Sequence, residues 1–152
     1  MAYSDAEARQ HLLDTLADAA DGLAAALAYL GEAYEQLDES LADRLEAELF
    51  RPVQTAYGRA QRVHAEFADR HGLPEHPFEA ATPHTRDHDA KGIIDSAVAA
   101  AERADSTLAT LQDSMLPIDV GDPPLRAGLE QVRVLLSGTR ERAWEITRRL
   151  GR

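Results

Sequence analysis

Leu13, Leu16, Ala20, Leu23, Leu27, Leu30, Tyr34, Leu37 and Leu41 alternate steps of three and four, so one stripe of a helix stays apolar through that whole stretch. Leu125, Leu129, Val132, Leu136, Thr139, Ala143, Ile146 and Leu150 repeat the pattern near the end of the chain. Ile94, Ala97, Ala101, Ala104, Leu108, Leu111 and Met115 form a third seam. A fourth, Leu41, Leu45, Leu49, Val53, Ala56, Ala60, Val63 and Phe67, drifts slightly in phase. A repeat near 3.5 residues sustained this long predicts helices with nearly aligned axes, as in bundles. No segment alternates with period two, so no strand is expected.

Punctuation sets the boundaries. Ser4 is placed to cap helix 1, with Glu7 three residues on completing a capping box. Gly72, ahead of Leu73 and Pro74, is a stop for helix 2. Residues 72–85 hold three prolines and read as a loop, after which Thr85 is placed to cap helix 3. Pro117 and Gly121 mark the next turn, and Asp122 followed by Pro123 is a cap with proline at the first helical position. Between helices 1 and 2 the best turn is Asp38-Glu39-Ser40, since Asp and Ser favour caps over helix interiors. Pro52 then becomes a kink within helix 2; the rival is a single helix from residue 5 to about 49, ending at Pro52. The fold class that follows is all-α, an antiparallel up-down-up-down four-helix bundle with long helices, about 5–37, 40–71, 86–115 and 123–150, in one domain over 1–152.

Composition narrows the function classes. A chain of 152 residues can bury ~70% of its unfolded surface, enough for a core without staples. The absence of cysteine removes disulfides, thiolate nucleophiles and Cys-based zinc sites. The net charge of −11 opposes nucleic acid and anionic lipid. The start of the chain reads as no signal peptide, and the most apolar stretch, Leu23–Leu30, falls far short of the ~20 residues that span a bilayer, so a cytoplasmic location is expected.

The chemistry-bearing residues are uneven in distribution. His64, His71, His76, His84 and His88 fall together, with His11 near the start, and Lys91 is the single lysine beside 15 arginines. In the up-down-up-down order all six histidines, with Trp144 and Arg148, share one end. Glu32, Glu35, Asp38, Glu39, Asp43, Glu46, Glu48, Asp105, Asp113, Asp119, Asp122 and Glu130 collect at the other. The molecule is then expected to be electrically polar along its axis. His84 and His88, four apart at the expected start of helix 3, would face one way and could chelate a divalent transition metal, zinc or nickel, with His11, His64 or His71 adding a further nitrogen.

Three partial resemblances carry other chemistry. His88, Lys91 and Gly92 resemble the H-x-x-K-G skeleton of histidine phosphotransfer domains. That likeness implies a phosphoryl-carrying His88, a steadying Lys91 and a glycine that lets a receiver approach, with Ala90 where a large apolar residue is usual. Arg59 and His64 are similar in spacing to the R-x4-H of helical ribonucleases of the HEPN type, although the acidity opposes RNA. Metal-dependent thiol transferases of the DNA-damage-inducible type are similar in length and class, but their H-x3-H comes late in the chain, and His84 and His88 come in the middle.

The leading expectation is a non-enzymatic interaction or self-association module. It would be a homodimer or larger, with a possible protein partner, because helices 1 and 3 carry more alanine than a four-helix interior needs. The alternative is a metal-binding protein or metal-dependent enzyme at the histidine end. A phosphotransfer-like carrier at His88 is third.

Overall fold

The computed structural model describes residues 4–83 and 89–150. All regular structure among them is helical: α1 (Asp5–Tyr34), α2 (Glu39–Leu45), a π-turn (Glu46–Phe50) leading directly into α3 (Arg51–Arg70), α4 (Ala90–Asp113), the short α5 (Leu116–Asp119), α6 (Pro123–Leu136) and α7 (Thr139–Thr147). No helix among the described residues is long and apolar enough to cross a membrane.

The local stops and starts follow the expected punctuation. The Ser4 hydroxyl accepts from the Glu7 amide at 3.1 Å and donates to the Glu7 carboxylate. Gly72 takes the left-handed conformation (φ 65°), which a residue with a Cβ resists, and Leu73 closes the turn by donating to the Ala68 carbonyl at 2.8 Å. Asp38 and Asp122 cap α2 and α6, accepting from the amides of Leu41 and Leu125. The hairpin between the first two helices therefore exists, at residues 35–38. Helix 3 begins later than expected: its cap is Asp89, which accepts from the Gly92 amide at 2.7 Å, and Thr85 lies outside the described residues.

Pro52 leaves a different mark from a simple kink. Without an N–H it cannot satisfy the carbonyl of Glu48, four residues back. The backbone widens into the π-turn, in which the Arg51 amide bonds to Glu46, and the freed Glu48 carbonyl accepts from Arg142 Nε of α7 at 2.7 Å. The last expected helix, 123–150, is in fact two. Gly138 at φ 78° breaks it, and Arg142 Nη1 takes the Ser137 carbonyl at 2.8 Å.

The order of directions corrects the up-down-up-down expectation. Asp14 and Asp21 of α1 act electrostatically on His64 and Tyr57, so α1 and α3 run antiparallel. Gly22 lies against Ala100 and Ala104, while His11 and Thr15 share a groove with Thr107, Thr110 and Ser114, so α4 also runs antiparallel to α1. Val63 meets Gly128 and Arg70 meets Asp122, making α6 antiparallel to α3; Asp105 with Arg133 and Gln112 with Glu130 make it antiparallel to α4. Around the core the sequence is α1, α3, α6, α4, with α3 and α4 parallel across the diagonal. The end of α3 and the start of α4 therefore lie at opposite ends of the bundle, so the connection between them is a crossover.

That crossover also answers the surplus of alanine. The contact between α1 and α4 is the most extensive in the molecule. Ala19, Ala20, Ala26 and Ala33 of α1 and Ala97, Ala100, Ala101 and Ala104 of α4 are all buried. A Cβ placed on Gly22 would sit 3.4 Å from that of Ala104. Small residues let these two axes close up, as interlocking ridges and grooves require. Most of the alanines that suggested an outward-facing surface are used inside the single chain, while Ala28 and Ala99 stay partly exposed.

Candidate functional site

The described part of the crossover, through Pro83, places His76 and Phe78 back along α3 and builds an aromatic and histidine layer. From the end of α3, the chain brings the His76 ring to 5.7 Å from His64, and the Phe78 ring to 5.4 Å from His64 and 6.4 Å from Tyr57. His71 stacks on Phe67 at 4.4 Å between ring centroids. His64 is 2% exposed and its Nδ1 has no hydrogen-bond partner among the described residues. Burial and the neighbouring His76 push its imidazole below the usual value, opposed by Asp14. Burial, with Asp21, raises the Tyr57 hydroxyl.

His71 has a different role. Its Nε2 lies 3.0 Å from Asp122, whose two oxygens also receive Arg70 Nε and Nη2 at 2.8 and 2.9 Å. Although burial alone would raise the Asp122 carboxyl, hydrogen bonds from Arg70, the Leu125 amide and His71, with the Arg70 charge, hold it at about 2. One carboxylate thus ties the end of α3 to the start of α6.

His11 faces elsewhere. It is exposed in a groove of about 370 Å³ between α1 and the end of α4, walled by Thr15, Ser106, Thr107, Thr110 and Ser114. His11 and His64 are thus on different faces, and no three His, Asp or Glu side chains among the described residues converge as a metal site requires. The paired ligands His84 and His88 lie outside the described residues, as does the phosphotransfer histidine, His88. Lys91, assigned to steady a phosphoryl group, bonds Asp95 one turn on at 2.8 Å. His64, the HEPN-like histidine, is buried under the crossover segment, where a phosphodiester would not reach it.

The reversed α4 also undoes the expected polarity. Asp113, Asp119 and Asp122 stand at the histidine end, and Arg9 Nε reaches the Val120 carbonyl there at 2.9 Å. Trp144 and Arg148 move to the opposite end with α7, which packs on α2 and the π-turn. That end holds a groove the sequence reading missed, about 320 Å³ between the end of α1 and the π-turn, lined by Gly31, Tyr34, Glu35, Glu46 and Phe50. A hint lay in the seam itself: Tyr34 occupies an apolar-stripe position yet is 38% exposed, because α1 ends there. On α6, Val134 is 63% exposed above a groove of about 330 Å³ shared with α3 and lined by Thr55, Arg59, Gln131 and Leu135.

Comparison with protein families, with curated proteins and with solved structures gives no match for this chain.

Proposed function

We propose that this protein is a non-enzymatic interaction module that pairs with a second copy of itself through the outer face of α6. The observation that carries this reading is Val134. The inner face of α6 is already filled by Leu125, Leu129, Val132 and Leu136, all buried, so Val134 adds nothing to the core. It also borders a second groove with Asp105, Glu130, Arg133 and Ser137, making one continuous surface along the helix. A two-fold arrangement sets each Val134 against the α3/α6 groove of its partner, the self-complementary geometry of most homodimers. Arg59, which lines that groove, stands at the edge of that contact.

Light scattering at tens of micromolar tests this. The expected mass is twice the 16.6 kDa of one chain, and Val134→Glu returns it to one chain with the helical signal unchanged. A wild-type mass of 16.6 kDa across that range overturns the reading.

A further inference from the structure

We propose that the groove between the end of α1 and the π-turn receives an arginine or lysine side chain from a basic segment of a partner protein. This rests on the reading of the chain as an interaction module, but on a different surface from the α6 face. Tyr34 and Phe50 supply aromatic walls, on which an aliphatic stem packs and a cationic head is drawn to the ring faces. Gly31 leaves the wall between them open, since nothing lies within 4 Å of where its Cβ would be. Glu35 and Glu46 stand in the lining, and neither side chain has a hydrogen bond or ion pair among the described residues.

The backbone adds to that negative potential. A helix ends with its carbonyls and the negative pole of its dipole, a position that favours cations. The 30-residue α1 has no basic residue in its last turn and instead carries Glu32 there and Glu35 at its C-cap. Such a conflict with local preference costs stability in the free protein and is relieved when a cation arrives. Among the described residues no arginine or lysine lines the groove. Residues 31–50 hold seven acidic side chains and one arginine, Arg44, already paired with Glu48 at 3.2 Å. Arg142 is held by the carbonyls of Glu48 and Ser137, and Arg148 pairs with Glu145. Arg51 is outside the lining. The π-turn, forced by Pro52, displaces Glu46 and Phe50 from ordinary helical register, and such turns recur at functional sites.

The test uses the full chain and an octapeptide of four Arg-Ala repeats, with spermine as the small-polyamine comparison. The peptide is expected to shift the backbone amide resonances of residues 31–35 and 46–50 more than those around Asp113 and Asp119. Tyr34→Ala, which removes no charge, weakens binding about threefold. Glu35→Gln with Glu46→Gln weakens it about tenfold or more. Glu39→Gln with Asp43→Asn removes the same charge from the same end outside the lining and leaves affinity within about twofold, because exposed charges at a distance are screened. Equal losses in the two double variants, no effect of Tyr34→Ala, or no peptide binding at ~0.15 M salt, where the screening length is ~8 Å, overturns the proposal. Spermine binding as tightly as the peptide, with the same dependence on Tyr34, overturns the polypeptide partner in favour of a free polyamine. Light scattering on these variants keeps the two ideas apart, since pairing through Val134 is independent of the groove.

Discussion

Asp122 concentrates three jobs in one side chain: it caps α6, receives Arg70 through both oxygens and meets His71. Its carboxyl is held at about 2, below the ordinary 3.8. A depressed folded-state value means stability that is present above the unfolded pKa and lost as pH falls from about 3.8 through about 2. Urea midpoints measured down this range should therefore fall, and Asp122→Asn, which keeps a capping side chain, should flatten that part of the slope. If the two proteins have parallel acid profiles, the pairing with Arg70 contributes nothing. Gly128 makes a second residue-scale case. A Cβ there would clash with Val63 Cγ2, so α3 and α6 are as close as they are because position 128 has no side chain. Gly128→Ala is expected to cost about 1–3 kcal/mol in chemical denaturation, as overpacking does, despite alanine's better helix propensity.

At the scale of elements, two irregularities far apart in sequence are joined by Arg142. Its guanidinium satisfies the Glu48 carbonyl orphaned by Pro52 and the Ser137 carbonyl at the α6 break. Arg142→Ala leaves both without that donor and should destabilise by about 1.5–3 kcal/mol. Arg142→Lys should not restore it, because a single ammonium lacks the fixed fork that reaches two acceptors. Full recovery with lysine in a thermal melt would show that charge alone suffices. The crossover segment offers a pH test. Burial and His76 depress the His64 imidazole, so the stability it confers is full above the unfolded value of ~6.5 and is lost as pH falls below it. The ring-proton resonances of Phe78, which packs edge-on to His64, should move toward free-chain values on acidification before the helices melt. His64→Leu, which keeps an apolar filler against Phe78, should remove that early movement. An unchanged profile in this variant would assign the effect elsewhere.

For the whole molecule, what was legible in the sequence is what depends on near neighbours in the chain. The 3.5-residue seams fixed an all-helical fold, because apolar spacing decides which face of a helix can leave water. Ser4, Asp38, Gly72 and Asp122 with Pro123 marked their boundaries, because caps and left-handed stops are chemistry within four residues. The cluster of His64, His71 and His76 near one end was also legible, since these residues lie on or just after one helix. The direction of α4 was not. Nineteen residues between α3 and α4 can stretch ~60 Å, while a 30-residue helix is ~45 Å long, so chain length permits either a local turn or a crossover. The Ser137 and Gly138 break was available in the sequence as a breaker pair, but the apolar seam continues through it and hid it. Tertiary packing decided the rest: the small-residue faces of α1 and α4 close on each other, and Phe78 and His76 settle on α3. Those choices carried Asp113, Asp119 and Asp122 to the histidine end, sent Trp144 to the other, and set Tyr34 beside the π-turn. Packing of faces is a property of pairs of distant segments, so no single stretch of sequence contains it.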